Sequence, residues 1–381
     1  MFLAPKITFS PDKFGFYTVG DRKTFSKIEA LQWQQQTKLF PEWDFNRKIF
    51  DSIEWAKEPD ISLEELYRMR ARQIRENYDH VVIMYSGGSD SHNILSYWID
   101  AGLKIDEIAC YVNNQGSNNK EDLQNSEIFK VVLPHIESLK KRGIEFNFRI
   151  IDQSQMEIDA MTVTDAEYSL NHNFSPIHLA KNLFRDNVRE WSDMISNGKK
   201  LCLVWGCDKP QIFHDGDKLY LQFYDFIDSC LGPEIQRRYH QGWYDEFFYW
   251  TPDFPEIVQK QAAIVARFLR TVDDPKYYQK KSSRNGYNHK INCYLTDNAL
   301  KCLLYPRWDT RTFSAGKLNV QAGRRFFSLR SKWLWESNLG EAHRFLQIGK
   351  SMFEGIDDYW KNQPGDVFKG LKCHASPRYY L

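Results

Sequence analysis

The sequence predicts an α/β protein with a doubly wound, mostly parallel sheet. Residues 81–85 and 201–205 are continuous apolar runs, which are typical of strands that other elements cover on both faces. Segments with helical spacing lie between such runs, for example residues 89–101. Strands that alternate with helices in this way favour parallel pairing with right-handed crossovers.

The other elements are predicted from periodicity and from end signals. A helix begins after Ser62, where Glu65 completes a capping box, and continues towards residue 77. A helix over residues 123–142 contains Pro134, which disturbs a helix interior. The remaining predicted elements are strands at residues 14–19, 108–112 and 146–151, a helix that begins after Ser175 and ends near residue 198, a hairpin over residues 212–223, and a helix over residues 256–269.

The chain divides into three predicted regions. Residues 1–79 form an N-terminal extension, and residues 80–230 form the α/β domain. Residues 231–381 are expected to form a mainly helical domain that is rich in aromatic and basic residues. The second boundary lies where strand and helix patterns stop alternating.

Composition indicates a cytoplasmic protein that does not enter a membrane. No apolar run approaches the roughly 18 residues that a bilayer crossing needs. The N-terminus lacks the charged and apolar segments of an export signal. The seven cysteines include no Cys-x-x-Cys pair, which fits a reducing compartment and argues against a zinc ribbon.

A loop rich in glycine and serine joins the apolar run of residues 81–85 to the next helical segment. The loop consists of Ser86, Gly87, Gly88, Ser89, Asp90 and Ser91. A strand, a Gly-Gly turn and a helix in succession direct backbone N–H groups and a positive helix end at one point, which favours an anion. The glycines allow close approach, the serines add hydroxyl donors, and Asp90 is suited to a Mg²⁺ that bridges phosphate oxygens.

This loop resembles the PP-loop of the N-type ATP pyrophosphatases. That superfamily includes asparagine synthetase, GMP synthetase, NAD synthetase, argininosuccinate synthetase, tRNA-lysidine synthetase and tRNA thiolases, with PAPS reductases as distant relatives. The resemblance covers residues 80–230 as a fold and the loop as a motif. It implies an adenine nucleotide α-hydrolase-like fold that binds ATP and Mg²⁺, with the adenine near Tyr85 and Asn113.

The turn after the apolar run of residues 201–205 provides further candidates. In a doubly wound sheet this run lies beside the first strand, and ligands bind at the carboxyl ends of such strands. We expect Asp208 to assist the metal and Lys209 to stabilise the departing pyrophosphate. Cys207 as a sulfur carrier and His172 as a base are weaker alternatives to ordinary structural roles.

The C-terminal region contains a strongly basic block. Residues 276–332 hold thirteen Lys or Arg residues against two acids, a surplus of eleven positive charges. Between Arg307 and Lys332 these cations are interleaved with aromatic residues, a pattern that suits nucleic acid. The alternative is a solvated rim. Aromatic residues make up 15% of the chain, and we expect most of them in cores.

The sequence therefore predicts an ATP-dependent, AMP-forming synthetase that adenylates an acceptor and releases pyrophosphate. Asp90, Asp208 and Lys209 are its expected catalytic residues, and the acceptor is not identified. A base-modifying enzyme that acts on nucleic acid is the second hypothesis, and a non-catalytic nucleotide-binding protein is the third.

Overall fold

The structure is a computed structural model of the 381-residue chain. It describes residues 4–25, 27–113, 125, 127–162, 184–206, 210–225, 241–275, 280–282, 291–293, 300–307, 340, 344 and 374–381.

The described strands, β1 to β13 in chain order, are Phe16–Val19, Arg22–Thr24, Glu42–Asp44, His80–Met84, Glu107–Val112, Asn147–Asp152, Leu201–Trp205, Gln211–Asp215, Lys218–Gln222, Trp243–Phe247, Lys280–Ser282, Ile291–Cys293 and Tyr379–Tyr380. The described α-helices, α1 to α10, are Lys27–Thr37, Arg47–Phe50, Leu63–Asn77, Ser89–Asp100, Leu133–Lys141, Ser154–Thr162, Phe184–Asn187, Arg189–Ser196, Glu256–Thr271 and Lys301–Leu304.

Five strands form a central sheet in the order β10-β7-β4-β5-β6, and all neighbouring pairs are parallel. Within this sheet, β4 comes first along the chain. The strands β5 and β6 follow on one side of it, and β7 and β10 follow on the other side. The sheet is therefore doubly wound, which confirms the predicted α/β class, and the order of strands reverses at β4.

Smaller antiparallel sheets flank this one. Strands β2, β1 and β3 form a sheet close to the N-terminus. Strands β8 and β9 form the predicted hairpin, and β13 pairs with β9. The chain end is thus joined to the hairpin that follows the central strand β7.

Local signals explain two helix starts. The Ser62 hydroxyl accepts a hydrogen bond from the Glu65 N–H at 3.2 Å, which confirms the predicted N-cap of α3. A π-helical turn at Ile128–Val132 precedes α5, so that Pro134 falls in the first turn of that helix. The Leu133 N–H donates to the Ile128 carbonyl five residues back, so the hydrogen-bond register shifts just before the proline, which has no N–H to donate.

Aromatic side chains form much of the core around the sheet. Trp98, Trp191 and Trp243 are among the largest fully buried side chains. Phe45 is in contact with four other rings of the core. Many rings of this aromatic-rich chain therefore contribute apolar burial and edge-to-face packing.

The central sheet continues past the predicted boundary at residue 230. β10 follows that boundary and pairs with β7 along all five of its residues. α9 also follows it and packs against α3. Much of the region predicted to be a helical domain, residues 231–381, lies outside the described residues.

Candidate functional site

The loop of residues 86–91 lies where the order of strands reverses. It follows β4, which has β5 on one side and β7 on the other, and it leads into α4. In open α/β sheets, ligands bind at this position, beyond the carboxyl ends of the strands.

Two glycines shape the backbone of this loop. Gly87 has φ +77°, and a Cβ there would lie 3.0 Å from Val132 Cγ2 in the π-helical turn. A side chain at this position would meet both backbone strain and a close contact. Gly88 is the N-cap of α4, and its carbonyl accepts the first helical bond, from the His92 N–H at 3.0 Å. The first-turn amides before that bond form the positive end of the helix.

The serine hydroxyls brace the loop. Ser91 Oγ accepts a hydrogen bond from the Ser86 N–H at 3.2 Å and donates to the Gly88 carbonyl at 3.1 Å. The Gly88 N–H donates to Ser86 Oγ at 3.4 Å. These three hydrogen bonds connect both sides of the turn.

Asp90 makes contacts with residues that are distant in the chain. Its Oδ1 accepts a hydrogen bond from the Tyr305 hydroxyl at 2.5 Å, and its carbonyl oxygen accepts one from Tyr249 at 2.6 Å. Lys301 Nζ lies 3.5 Å from Asp90 Oδ2 and donates to Ser89 Oγ at 2.6 Å. Three side chains from segments beyond residue 240 thus contact the loop, namely those of Tyr249, Lys301 and Tyr305.

Sequence reasoning missed the site role of this second set of residues. Tyr305 adjoins the basic and aromatic block in the sequence, but its side chain is buried and only 1% exposed. The signal that could have identified it is the apolar spacing of Leu300, Leu304 and Tyr305, which are all buried. Such spacing indicates one buried face of a short helix.

The end of β7 lies against the same loop, as predicted. A Cβ added to Gly206 would lie 3.1 Å from Asp90 Cβ, so the two backbones come close together here. The predicted residues Asp208 and Lys209, and with them Cys207, follow Gly206 but lie outside the described residues.

Tyr85 lies on the β5 side of the loop and is 1% exposed. Its hydroxyl is 3.1 Å from His92 Nδ1, and the centres of the His92 and His135 rings lie 4.6 Å apart, with the rings tilted by 55°. Burial, together with His135, lowers the pKa of His92 to about 3, and burial also lowers the pKa of His135. Both rings are therefore neutral near pH 7.

Asn113, the other residue expected near an adenine, follows β5 and is buried. Its side chain donates to Glu157 Oε1 at 3.0 Å, and its N–H donates to Asn125 Oδ1 at 3.3 Å. The carboxyl ends of β5 and β6 are thus joined by a buried polar network.

Arg307 is the one residue of the predicted nucleic-acid surface that the structure describes. It donates to Asp100 at 2.6 Å, and its guanidinium lies 5.1 Å from the centre of the Tyr97 ring. Arg307 therefore packs on the C-terminal end of α4. Residues 308–332 and His172 lie outside the described residues.

Metal-binding groups, membrane-spanning helices and matches to family models or curated proteins are all missing from what the described residues and the sequence show. Within the described ranges, no group of three or more His, Cys, Asp or Glu residues gathers as a metal site. No described helix is long and apolar enough to cross a membrane. No protein-family model matches the chain, and no curated protein matches it either.

Proposed function

We propose that this protein is an ATP-dependent, AMP-forming synthetase that uses residues 86–91 as a PP-loop in an adenine nucleotide α-hydrolase-like fold. The observation that carries the proposal is the position of Lys301, whose Nζ lies 2.6 Å from Ser89 Oγ at the N-terminus of α4. A lysine at that end of a helix is unfavourable unless an anion is also present.

The balance of charge at this point favours a polyanion. The helix end contributes about half a positive charge, and Lys301 contributes a full one. Asp90 offsets part of this, since its Oδ2 lies 3.5 Å from Lys301 Nζ. The β and γ phosphates of ATP would offset the rest and would accept hydrogen bonds from the first-turn amides.

The same residues suit Mg²⁺ bound together with phosphate. Mg²⁺ is commonly held by one or two carboxylates and by phosphate oxygens. Asp90 would supply one carboxylate, because its side chain is 30% exposed. When bound, the ion would neutralise charge on the phosphates. Asp208 is the proposed second carboxylate.

In the proposed reaction, an acceptor oxygen attacks the α phosphorus of ATP, and the bond from that phosphorus to the bridging oxygen breaks. Pyrophosphate leaves, and the acceptor carries AMP until a nucleophile displaces it. The loop would hold the β and γ phosphates in line with the attacking oxygen. Lys301, with Lys209 as the proposed second cation, would stabilise the charge on the departing pyrophosphate.

Replacement of Lys301 tests the proposal. We expect Lys301→Gln to weaken ATP binding by about 10- to 100-fold, because a charge-assisted hydrogen bond contributes about 1.5–3 kcal/mol. Lys301→Arg should recover part of this affinity. Lys104→Gln is the matched control, since the Lys104 side chain is 80% exposed and pairs with Asp106 at a different place. Isothermal titration measures the affinities.

Two results would contradict the proposal. One is a wild-type protein that binds neither ATP nor pyrophosphate. The other is a set of nucleotide products that contains ADP and phosphate but no AMP when candidate acceptors are supplied.

A further inference from the structure

Tyr305 lies in a short buried segment that other parts of the fold hold in place. Its N–H donates to the Lys301 carbonyl at 2.8 Å. The carbonyl of Leu304 accepts a hydrogen bond from the Tyr67 hydroxyl at 2.7 Å, and that hydroxyl accepts one from Gln261 at 2.8 Å. Tyr67 belongs to α3 and Gln261 to α9, so two long helices fix this segment against the loop.

The hydroxyl of Tyr305 acts as a donor to Asp90. The Tyr305 hydroxyl donates to Asp90 Oδ1 at 2.5 Å. Because Oδ1 is directed to Tyr305, Oδ2 is directed to the side where Lys301 lies.

The backbone of Asp90 is held as well. Tyr249 donates to its carbonyl oxygen at 2.6 Å and accepts from Asn93 Nδ2 at 3.1 Å. The Tyr249 and Tyr305 rings pack with their centres 5.6 Å apart. One tyrosine thus fixes the main chain of Asp90, and its neighbour fixes the side chain.

We infer that Tyr305 is a positioning residue for Asp90, and that it holds the carboxylate in the orientation in which Asp90 would help to hold a Mg²⁺ ion that accompanies ATP. This inference rests on the proposed function. Mg²⁺ requires near-ideal octahedral geometry, so a carboxylate that is free to rotate binds it less well. Groups that orient a metal ligand typically change metal affinity by about 10- to 100-fold.

The experiment compares two tyrosine hydroxyls. Tyr305→Phe removes the bond to Asp90. Tyr97→Phe is the matched control, because the Tyr97 hydroxyl is buried on α4 without a hydrogen-bond partner among the described residues. ATP is titrated into each variant with and without Mg²⁺, and the ratio of the two affinities is the readout. Thermal melts verify that each variant is folded.

We expect Mg²⁺ to increase ATP affinity equally in the wild type and in Tyr97→Phe, and about tenfold less in Tyr305→Phe. ATP affinity without Mg²⁺ should change little, because Lys301 and the loop amides are intact. If Tyr305→Phe does not fold, Tyr249→Phe replaces it, and we expect a smaller loss in the same direction.

The outcomes separate the two proposals. An equal effect of Mg²⁺ in Tyr305→Phe and Tyr97→Phe would overturn the positioning role and leave the proposed function standing. The same holds for Tyr249→Phe if it serves as the substitute. A wild-type protein that binds no ATP would overturn both.

Discussion

Glu246 and Asp90 are two carboxylates that both contact a lysine and a tyrosine, but their surroundings differ. Glu246 lies in β10 and is fully buried. Lys13 and Tyr78 both donate to its Oε1 at 2.5 Å, and Arg70 donates to its Oε2 at 2.6 Å. Every charge in this group is enclosed by protein.

The group around Glu246 is also balanced in charge. Lys13 lies 2.9 Å from Asp253 Oδ2, so two cations face two carboxylates. We name Lys13, Arg70, Tyr78, Glu246 and Asp253 the Glu246 cluster. It joins the N-terminal segment, α3 and β10, and a closed network of this kind has a structural role.

The group around Asp90 is open and has an excess of positive charge. We name Ser89, Asp90, Lys301 and Tyr305 the Asp90 cluster. Its carboxylate is 30% exposed, and one lysine and a helix N-terminus lie beside it. Similar residue types thus serve the fold where their charges cancel out of contact with water. Where a positive excess remains and the group is open to solvent, they form a candidate ligand site.

The largest expected effect concerns the stability of the closed cluster. Glu246→Gln should lower the free energy of unfolding by about 3–5 kcal/mol, because it leaves the buried Arg70 without its charged partner. Asp90→Asn should change it by less than about 1 kcal/mol, since its carboxylate is partly solvated. Urea unfolding measures both values. Equal losses in the two variants would contradict the distinction between the clusters.

A smaller effect on the free energy of unfolding is expected when the pH is lowered. Burial alone would raise the pKa of Glu246, but Lys13 and Arg70 hold it below its ordinary value of 4.5. A carboxyl with a lowered folded pKa contributes stability above its unfolded pKa and loses it as the pH falls through the folded value.

Below about pH 4.5, the wild type should therefore lose stability more steeply than Glu246→Gln, by up to about 1.4 kcal/mol per pH unit. Unfolding curves at several pH values test this. Parallel pH profiles for the two proteins would show that Glu246 does not carry the acid sensitivity.

The smallest expected effect concerns ligand binding at the open cluster. Asp90→Asn should strengthen the binding of pyrophosphate without Mg²⁺ by about 1 kcal/mol, because it removes a negative charge beside the anion. The same variant should lose the enhancement by Mg²⁺. Arg68→Gln serves as a surface control, because Arg68 pairs with Asp100 at the other end of α4. Titrations in which Asp90→Asn behaves like the wild type would contradict an anion site beside Asp90.

Local sequence patterns were sufficient for the sheet and the loop. The apolar runs became β4 and β7 because strands buried on both faces must be apolar along their length. The Ser62 cap and the hairpin were also predicted, since hydrogen bonds between near neighbours determine both. The roles of Asp208 and Lys209 and the nucleic-acid surface between Arg307 and Lys332 stay predictions, as do ATP and Mg²⁺.

Local sequence is enough to predict that a strand leads through Gly87 and Gly88 into a helix, because adjacent residues impose that geometry. The identity of the side chains that meet Asp90 follows from tertiary packing alone. Lys301 and Tyr305 are 211 and 215 residues away along the chain. No periodicity joins residues so far apart. They meet because α3 and α9 anchor the segment at Leu304 and thereby bring its lysine and tyrosine to the helix end.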